Sequence, residues 1–157
     1  MYEASRAIYE TLAESRCIRS ERDNYRRVGL MKGAMLLLGL SLENALKGAL
    51  VHRSKPDLSN DRLRSDHFHD VPHDLFAIAQ KLDLSLDDAQ RELLERLTMF
   101  VQWASKYQAP LRKAEHKKAV GRIKLRYPSD YNLVEGLIRS LRASSGFEEL
   151  HGWPCKS

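Results

Sequence analysis

A chain of 157 residues with 43 % hydrophobic and 30 % charged positions has the composition of one folded domain with a sizeable core, not of a disordered segment. The net charge of +5 is unevenly placed: residues 112–126 hold seven lysines and arginines against Glu115, which leaves the rest close to neutral. Cys17 and Cys155 match no metal spacing and read as unpaired thiols in a reducing cytoplasm, although their separation does not exclude a disulfide. The first 25 residues are too charged for a secretory leader, so a cytoplasmic location is expected.

Residues 2–18 carry Ala4, Ile8, Leu12 and Ser15 on one stripe, which predicts a first helix. Five arginines then fall between Arg16 and Arg27. Ser20, with Asp23 three residues on, suits the cap of a second helix. The two helices could run on as one rod, but a bend buries both apolar stripes and is expected here. In residues 30–53, Met31, Ala34, Met35, Leu38, Leu42, Ala45, Leu46 and Ala49 recur at steps of three and four. Leu36, Leu37 and Leu40 cover the opposite face, so this helix is either central to the core or shared with a subunit interface. Its densest apolar run, residues 34–42, covers about half of the ~20 residues a membrane span needs, and no span is expected. Glu43 and Lys47 stand four apart in the acid-first order that pairs on a helix surface.

Pro56 stops the central helix near Arg53 or Ser54. Residues 54–70 form the longest polar connection and carry Arg62, Arg64, His67 and His69, a first candidate site. A third helix is expected from Asp70, with Pro72 in its first turn and Leu75, Ile78, Ala79 and Leu82 facing the core. After a break at 83–85, Ser85 is the expected cap of a fourth helix that runs to about Tyr107. Its inward stripe is Leu93, Leu97, Phe100, Val101 and Ala104, flanked by a second of Met99, Trp103, Lys106 and Tyr107. Trp103 and Tyr107 suit stacking on a base, with Lys106 on a phosphate; the same spacing also fits core or dimer contacts.

Beyond Pro110, Arg122, Lys124 and Arg126 alternate with Ile123, Leu125 and Tyr127, which predicts an extended stretch pinned to the bundle. Lys117, Lys118, Arg122 and Lys124 are candidate phosphate contacts, because a local basic patch on a neutral body suits a polyanion. The same lysines also fit a solvated loop. Ser129 is the expected cap of a fifth helix with Leu133, Val134, Leu137, Ile138 and Leu141, closed by Gly146. Phe147, Leu150 and Trp153 of the tail are placed back on the bundle. The expected fold is all-α: about five antiparallel helices in a single domain over residues 1–157.

The string GLSLENALKGAL (residues 39–50), followed after a polar loop by HDLFAIAQ (73–80), resembles the HEPN group of small helical bundles. LLERLTMFVQWASKYQAPL (93–111) is similar to a helix of the same group, so the likeness covers most of residues 28–111. The resemblance implies an antiparallel bundle, often homodimeric, in toxin–antitoxin or antiviral defence, with a cognate partner such as a nucleotidyltransferase. It also implies a metal-independent ribonuclease with an R-x4-6-H motif. The matches here are Arg64 with His69 and Arg62 with His67. An imidazole would move a proton at the ribose hydroxyl or leaving oxygen, and the arginine would stabilise charge on the phosphate. The chain departs from the family pattern in that Leu63 and Ser65 follow the arginines and both pairs precede the third helix. Near the fourth helix the closest string is RKAEH, Arg112 to His116.

His73, in the same resemblance, anchors the third helix to the second, and with Glu43 and Lys47 it is a candidate binding pocket. The run His67, His69, Asp70, His73, Asp74 is rich in metal-ligand types but lacks a defined tetrahedral spacing, so no metal and no cofactor are expected. There is no P-loop, GxGxxG, HExxH or CxxC pair. The expected function is binding RNA or acting on it as an endoribonuclease; the alternative is a non-catalytic module that binds a partner protein or nucleotide.

Overall fold

Capping chemistry marks out the longest helix, α2 (Glu21–Ser54). At its start Ser20 Oγ accepts the Asp23 amide at 3.1 Å, and Asp23 Oδ2 in turn accepts the Arg19 amide at 3.1 Å. A hydrogen bond from the Ser20 side chain to the carboxylate, then the one from the Arg19 amide, hold the Asp23 carboxyl below its ordinary pKa. At its end Lys55 turns left-handed (φ 41°), and its amide closes on the Val51 carbonyl at 2.9 Å. The bend before α2 lets α1 (Tyr2–Glu14) fold back antiparallel: Leu12 meets Arg27, Ser5 meets Ala34 and Met1 meets Asn44.

The structure, a computed structural model, describes residues 1–14, 17–55, 71, 73–104, 117, 119, 121 and 124–146. Five helices can be followed among them and no described residue lies in a strand. After α2 come α3 (Leu75–Lys81), α4 (Asp88–Met99) and α5 (Ser129–Ser144). A π-helical turn, Phe100–Ala104, continues α4 without a break. The all-α architecture stands, and α2 touches each of the other four helices.

The core follows from the spacing. Met35, Leu38, Leu42 and Leu46 line one side of α2 and are at most 1 % exposed, against Leu75, Ile78, Leu93, Leu97, Phe100 and Val134. Burying each such side chain contributes about 1.5–3 kcal/mol. On α1 the expected stripe holds in part: Ile8 and Leu12 are half-buried, but Ala4 is exposed, Ser15 lies outside the described residues, and Ser5 is buried with Tyr2 and Tyr9 packed on the core. Gly39 sits where α2 crosses the π turn, and a Cβ there would stand 2.7 Å from Val101 Cγ2 and 3.5 Å from the Leu97 carbonyl oxygen. Only a residue without a side chain permits that approach.

Three helix starts differ from expectation. α3 begins at Leu75, not Asp70, because Asp74 Oδ1 accepts the Ala77 amide at 3.0 Å and the Leu75 amide is taken by Thr98 Oγ1. The cap of α4 is Asp87, not Ser85: Asp87 and Gln90 form a reciprocal capping box, while Leu84 and Leu86 pack against the core first. Ser129 does not cap α5; its hydroxyl donates to the Arg126 carbonyl at 3.3 Å. Gly146 (φ 67°) follows the last turn of α5, as expected of a closing glycine.

α2 spans 34 residues and contains an 18-residue window of mean hydropathy 1.4, long and apolar enough by itself to cross a bilayer. Of that window, 44 % is buried inside the protein, as in a helix that forms a core.

Candidate functional site

Glu43 is the buried carboxylate of α2, with its side chain 5 % exposed. It lies on the face of α2 that meets the segment before α3, and its Oε1 accepts Lys47 Nζ from the next turn. The same oxygen stands 3.0 Å from His73 Nδ1. His73 is half-exposed and Lys47 about a quarter exposed, so two cationic or protonatable groups converge from the surface on one sheltered oxygen. Glu43 Oε2 is buried and has no hydrogen-bond partner among the described residues. A carboxylate on Nδ1 fixes the imidazole ring and leaves Nε2 to meet another molecule. The cluster brings together three of the expected binding residues, and the His73–Glu43 contact ties the start of α3 to α2.

A second charged cluster was not anticipated. Arg96 of α4 is 1 % exposed and forms two N–H···O bonds of 2.8 Å to Asp130 of α5. Burial alone would lower the Arg96 pKa, but the hydrogen bonds and charge of Asp130, joined by Glu92, carry it above its ordinary value. Arg96 Nη1 also donates to the Lys124 carbonyl at 2.6 Å, and Asp130 Oδ2 accepts the Arg126 amide at 2.7 Å. On the surface above, Arg126 pairs with Glu92 through bonds of 2.8 and 3.1 Å. The sequence signal was an arginine within the apolar row Leu93, Leu97 and Phe100, since a buried guanidinium requires an acid partner.

This cluster fixes the end of the basic segment. Lys124 is exposed, Leu125 packs on the core and Arg126 is exposed, as the expected alternation has it, but Tyr127, expected on the pinned side, lies in a turn, and Arg122 and Ile123 lie outside the described residues. Tyr127 follows, 51 % exposed, its ring stacked on Tyr9 of α1 at 4.3 Å between centroids and edge-on to Tyr131 at 5.7 Å. Tyr131 donates to the Ser5 carbonyl at 3.0 Å, and burial pushes its phenol above the usual value. A groove of about 610 Å³ runs between α1, α2 and α5, lined by Tyr2, Arg6, Ser41, Asn44 and Glu135 among others. There the Tyr2 hydroxyl donates to Glu135 Oε2 at 3.2 Å. Burial, then the charge and hydrogen bond of Glu135, push that phenol up to about 12.

Other expected site residues divide in two. Lys117 is exposed, as a phosphate contact requires. Trp103 is 7 % exposed and belongs to the core cluster; its ring packs against protein instead of standing open to a base. Arg62, Arg64, His67, His69, Lys106, Tyr107, Lys118 and Arg122 lie outside the described residues. Comparison with protein-family models, curated proteins and solved structures finds no match to this chain.

Proposed function

We propose that this chain is a HEPN-like helical module that binds RNA in the cytoplasm as a homodimer, in a defence or toxin–antitoxin setting. The observation that carries the reading is the basic segment: seven cations against one acid in residues 112–126, with Lys117 and Lys124 exposed on an otherwise nearly neutral chain. Neutralising several phosphates releases counterions and gives affinity without base contacts. The ribonuclease form of the reading uses a histidine as proton carrier beside a phosphate-holding cation. Arg64 with His69 and Arg62 with His67 are its sequence candidates. His73, fixed by Glu43 beside Lys47, is a third candidate for the proton carrier.

The experiment is a fluorescence-anisotropy titration of purified protein with a generic single-stranded RNA across a salt series, run beside a gel assay for cleavage with and without EDTA. Salt-dependent binding that flattens when Lys117, Lys118, Arg122 and Lys124 are replaced by Ala supports the RNA reading. Cleavage that persists in EDTA and is lost in H69A, R64A or H73A supports the enzyme. An unchanged salt slope in the fourfold variant removes the segment from the interface.

The groove between α1, α2 and α5 favours a second reading, a non-catalytic module. Its size suits a nucleotide, and its mixed lining of carboxylate, guanidinium, hydroxyl and amide side chains offers both donors and acceptors. Nucleotide binding by calorimetry, with RNA neither bound nor cut, would assign that role.

A further inference from the structure

The Tyr9–Tyr127 stack stands directly beside the end of the basic segment, on two backbone hydrogen bonds that come from the core. Arg96, itself buried, donates to the carbonyl of Lys124, and buried Asp130 accepts the amide of Arg126. These bonds hold residues 124–126 in place immediately before Tyr127. The Tyr127 ring rests on Tyr9 with an interplanar angle of 13° and meets Tyr131 at 66°, so its orientation is set from two sides. Half of Tyr127 remains in solvent, which makes it one of the few large apolar side chains exposed among the described residues. A tyrosine ring held rigid in solvent, one residue from a basic run, costs little further ordering when a base stacks on it.

We infer that Tyr127, backed by Tyr9, is a stacking platform for a base of single-stranded RNA, with Lys124 placed to meet the adjoining phosphate. This rests on the RNA reading above and adds a recognition element to it. Charge complementarity selects the occupant, because the cations of 112–126 call for a polyanion and an open aromatic ring calls for an unpaired base. Arg126 is not assigned to phosphate, since its guanidinium is engaged by both oxygens of Glu92. The buried Arg96–Asp130 pair acts as a positioning element: it touches no ligand but sets where the platform stands. Base–aromatic stacking tolerates any base, so the platform confers preference for single strands and not for a sequence.

The test uses the full chain and a labelled oligouridylate, measured by anisotropy, with a second oligomer in which the bases are abasic. Tyr127→Ala is expected to weaken binding of the base-containing strand about tenfold, the size of one stack, and to leave the salt slope unchanged. Tyr127→Trp should bind within about twofold of the parent, because stacking is sequence- and ring-tolerant. The abasic strand should bind the parent and Tyr127→Ala equally. Lys124→Ala should lower the salt slope by about one while Tyr127 still contributes. Ultraviolet cross-linking of the unsubstituted protein, mapped by mass spectrometry, should mark the peptide containing Tyr127, and this readout survives even if a variant folds poorly. Full affinity in a folded Tyr127→Ala, or a cross-link elsewhere only, overturns the platform while salt-dependent binding leaves the RNA reading intact. A parent protein without salt-dependent binding overturns both.

Discussion

Arg96 and Asp130, 34 residues apart in sequence, face each other through two N–H···O bonds of 2.8 Å, with each residue 1 % exposed. The parallel pair spans α4 and α5, and both residues also hold the backbone of 124–126. A buried pair of this kind stabilises less than its Coulomb attraction suggests, because both ions had to leave water. Removing one partner is far worse, since the other stays buried and uncompensated. Arg96→Ala or Asp130→Ala should each lose about 3–5 kcal/mol in urea denaturation, whereas Arg96→Met with Asp130→Leu should lose much less. Equal losses in single and double variants would refute the argument.

Gly39 and Gly48 lie on the same helix and should respond oppositely to alanine. At Gly39 the added Cβ would meet Val101 Cγ2 at 2.7 Å, whereas at Gly48 nothing lies within 4 Å. Gly39→Ala should destabilise by about 1–3 kcal/mol through overpacking. Gly48→Ala should stabilise by roughly 0.5–1 kcal/mol through helix propensity. Adding Val101→Ala should recover part of the Gly39→Ala loss if the clash is the cause. Thermal melts of the three variants beside the parent decide it.

Tyr2 predicts an alkaline weakness. Its folded pKa is raised from 10.0 to about 12, so the unfolded chain gives up that proton first as pH rises. The contribution of the Tyr2 phenol is therefore fully present below pH 10 and is lost as pH climbs from 10 toward 12. Stability measured across that window should fall less steeply in Tyr2→Phe. Ultraviolet titration of tyrosinate should likewise lose one late-ionising member in that variant.

Glu43 and His73 should be coupled only modestly. Their contact is 3.0 Å, but the imidazole is 49 % exposed, so solvent screens the interaction. A double-mutant cycle with Glu43→Gln and His73→Ala should return about 0.5–1 kcal/mol. Zero coupling would mean that His73 is placed by its backbone, and its case as a carboxylate-held proton carrier would fail.

Assembly is tested by mass. Leu36, Leu37 and Leu40 of α2 are each only partly buried, apolar surface that a second copy would cover. Light scattering at tens of micromolar protein should report twice the 18.1 kDa protomer, and Leu40→Glu should return it to 18.1 kDa. A parent protein at the protomer mass under those conditions would remove the homodimer.

Where structure depended on neighbours in sequence, it could be read directly. Ser20 with Asp23 starts α2, Lys55 ahead of Pro56 ends it, and Leu38, Leu42 and Leu46 recur on one face, because caps and helical periodicity act over three or four residues. Where several local answers competed, packing chose. Asp70 and Ser85 are sound caps in isolation, yet Asp74 and Asp87 serve, because Thr98 claims the Leu75 amide and the core claims Leu84 and Leu86. Trp103 illustrates the limit for the site: its spacing admits a binding stripe as well as a core stripe, and only the approach of the other helices buries it. The cation count of 112–126 needed no fold, since charge is additive along a chain. The Arg96–Asp130 bond and the Tyr9–Tyr127 stack did need one. Each joins residues far apart in sequence, and no local period can encode which distant partner satisfies a buried charge or an open ring.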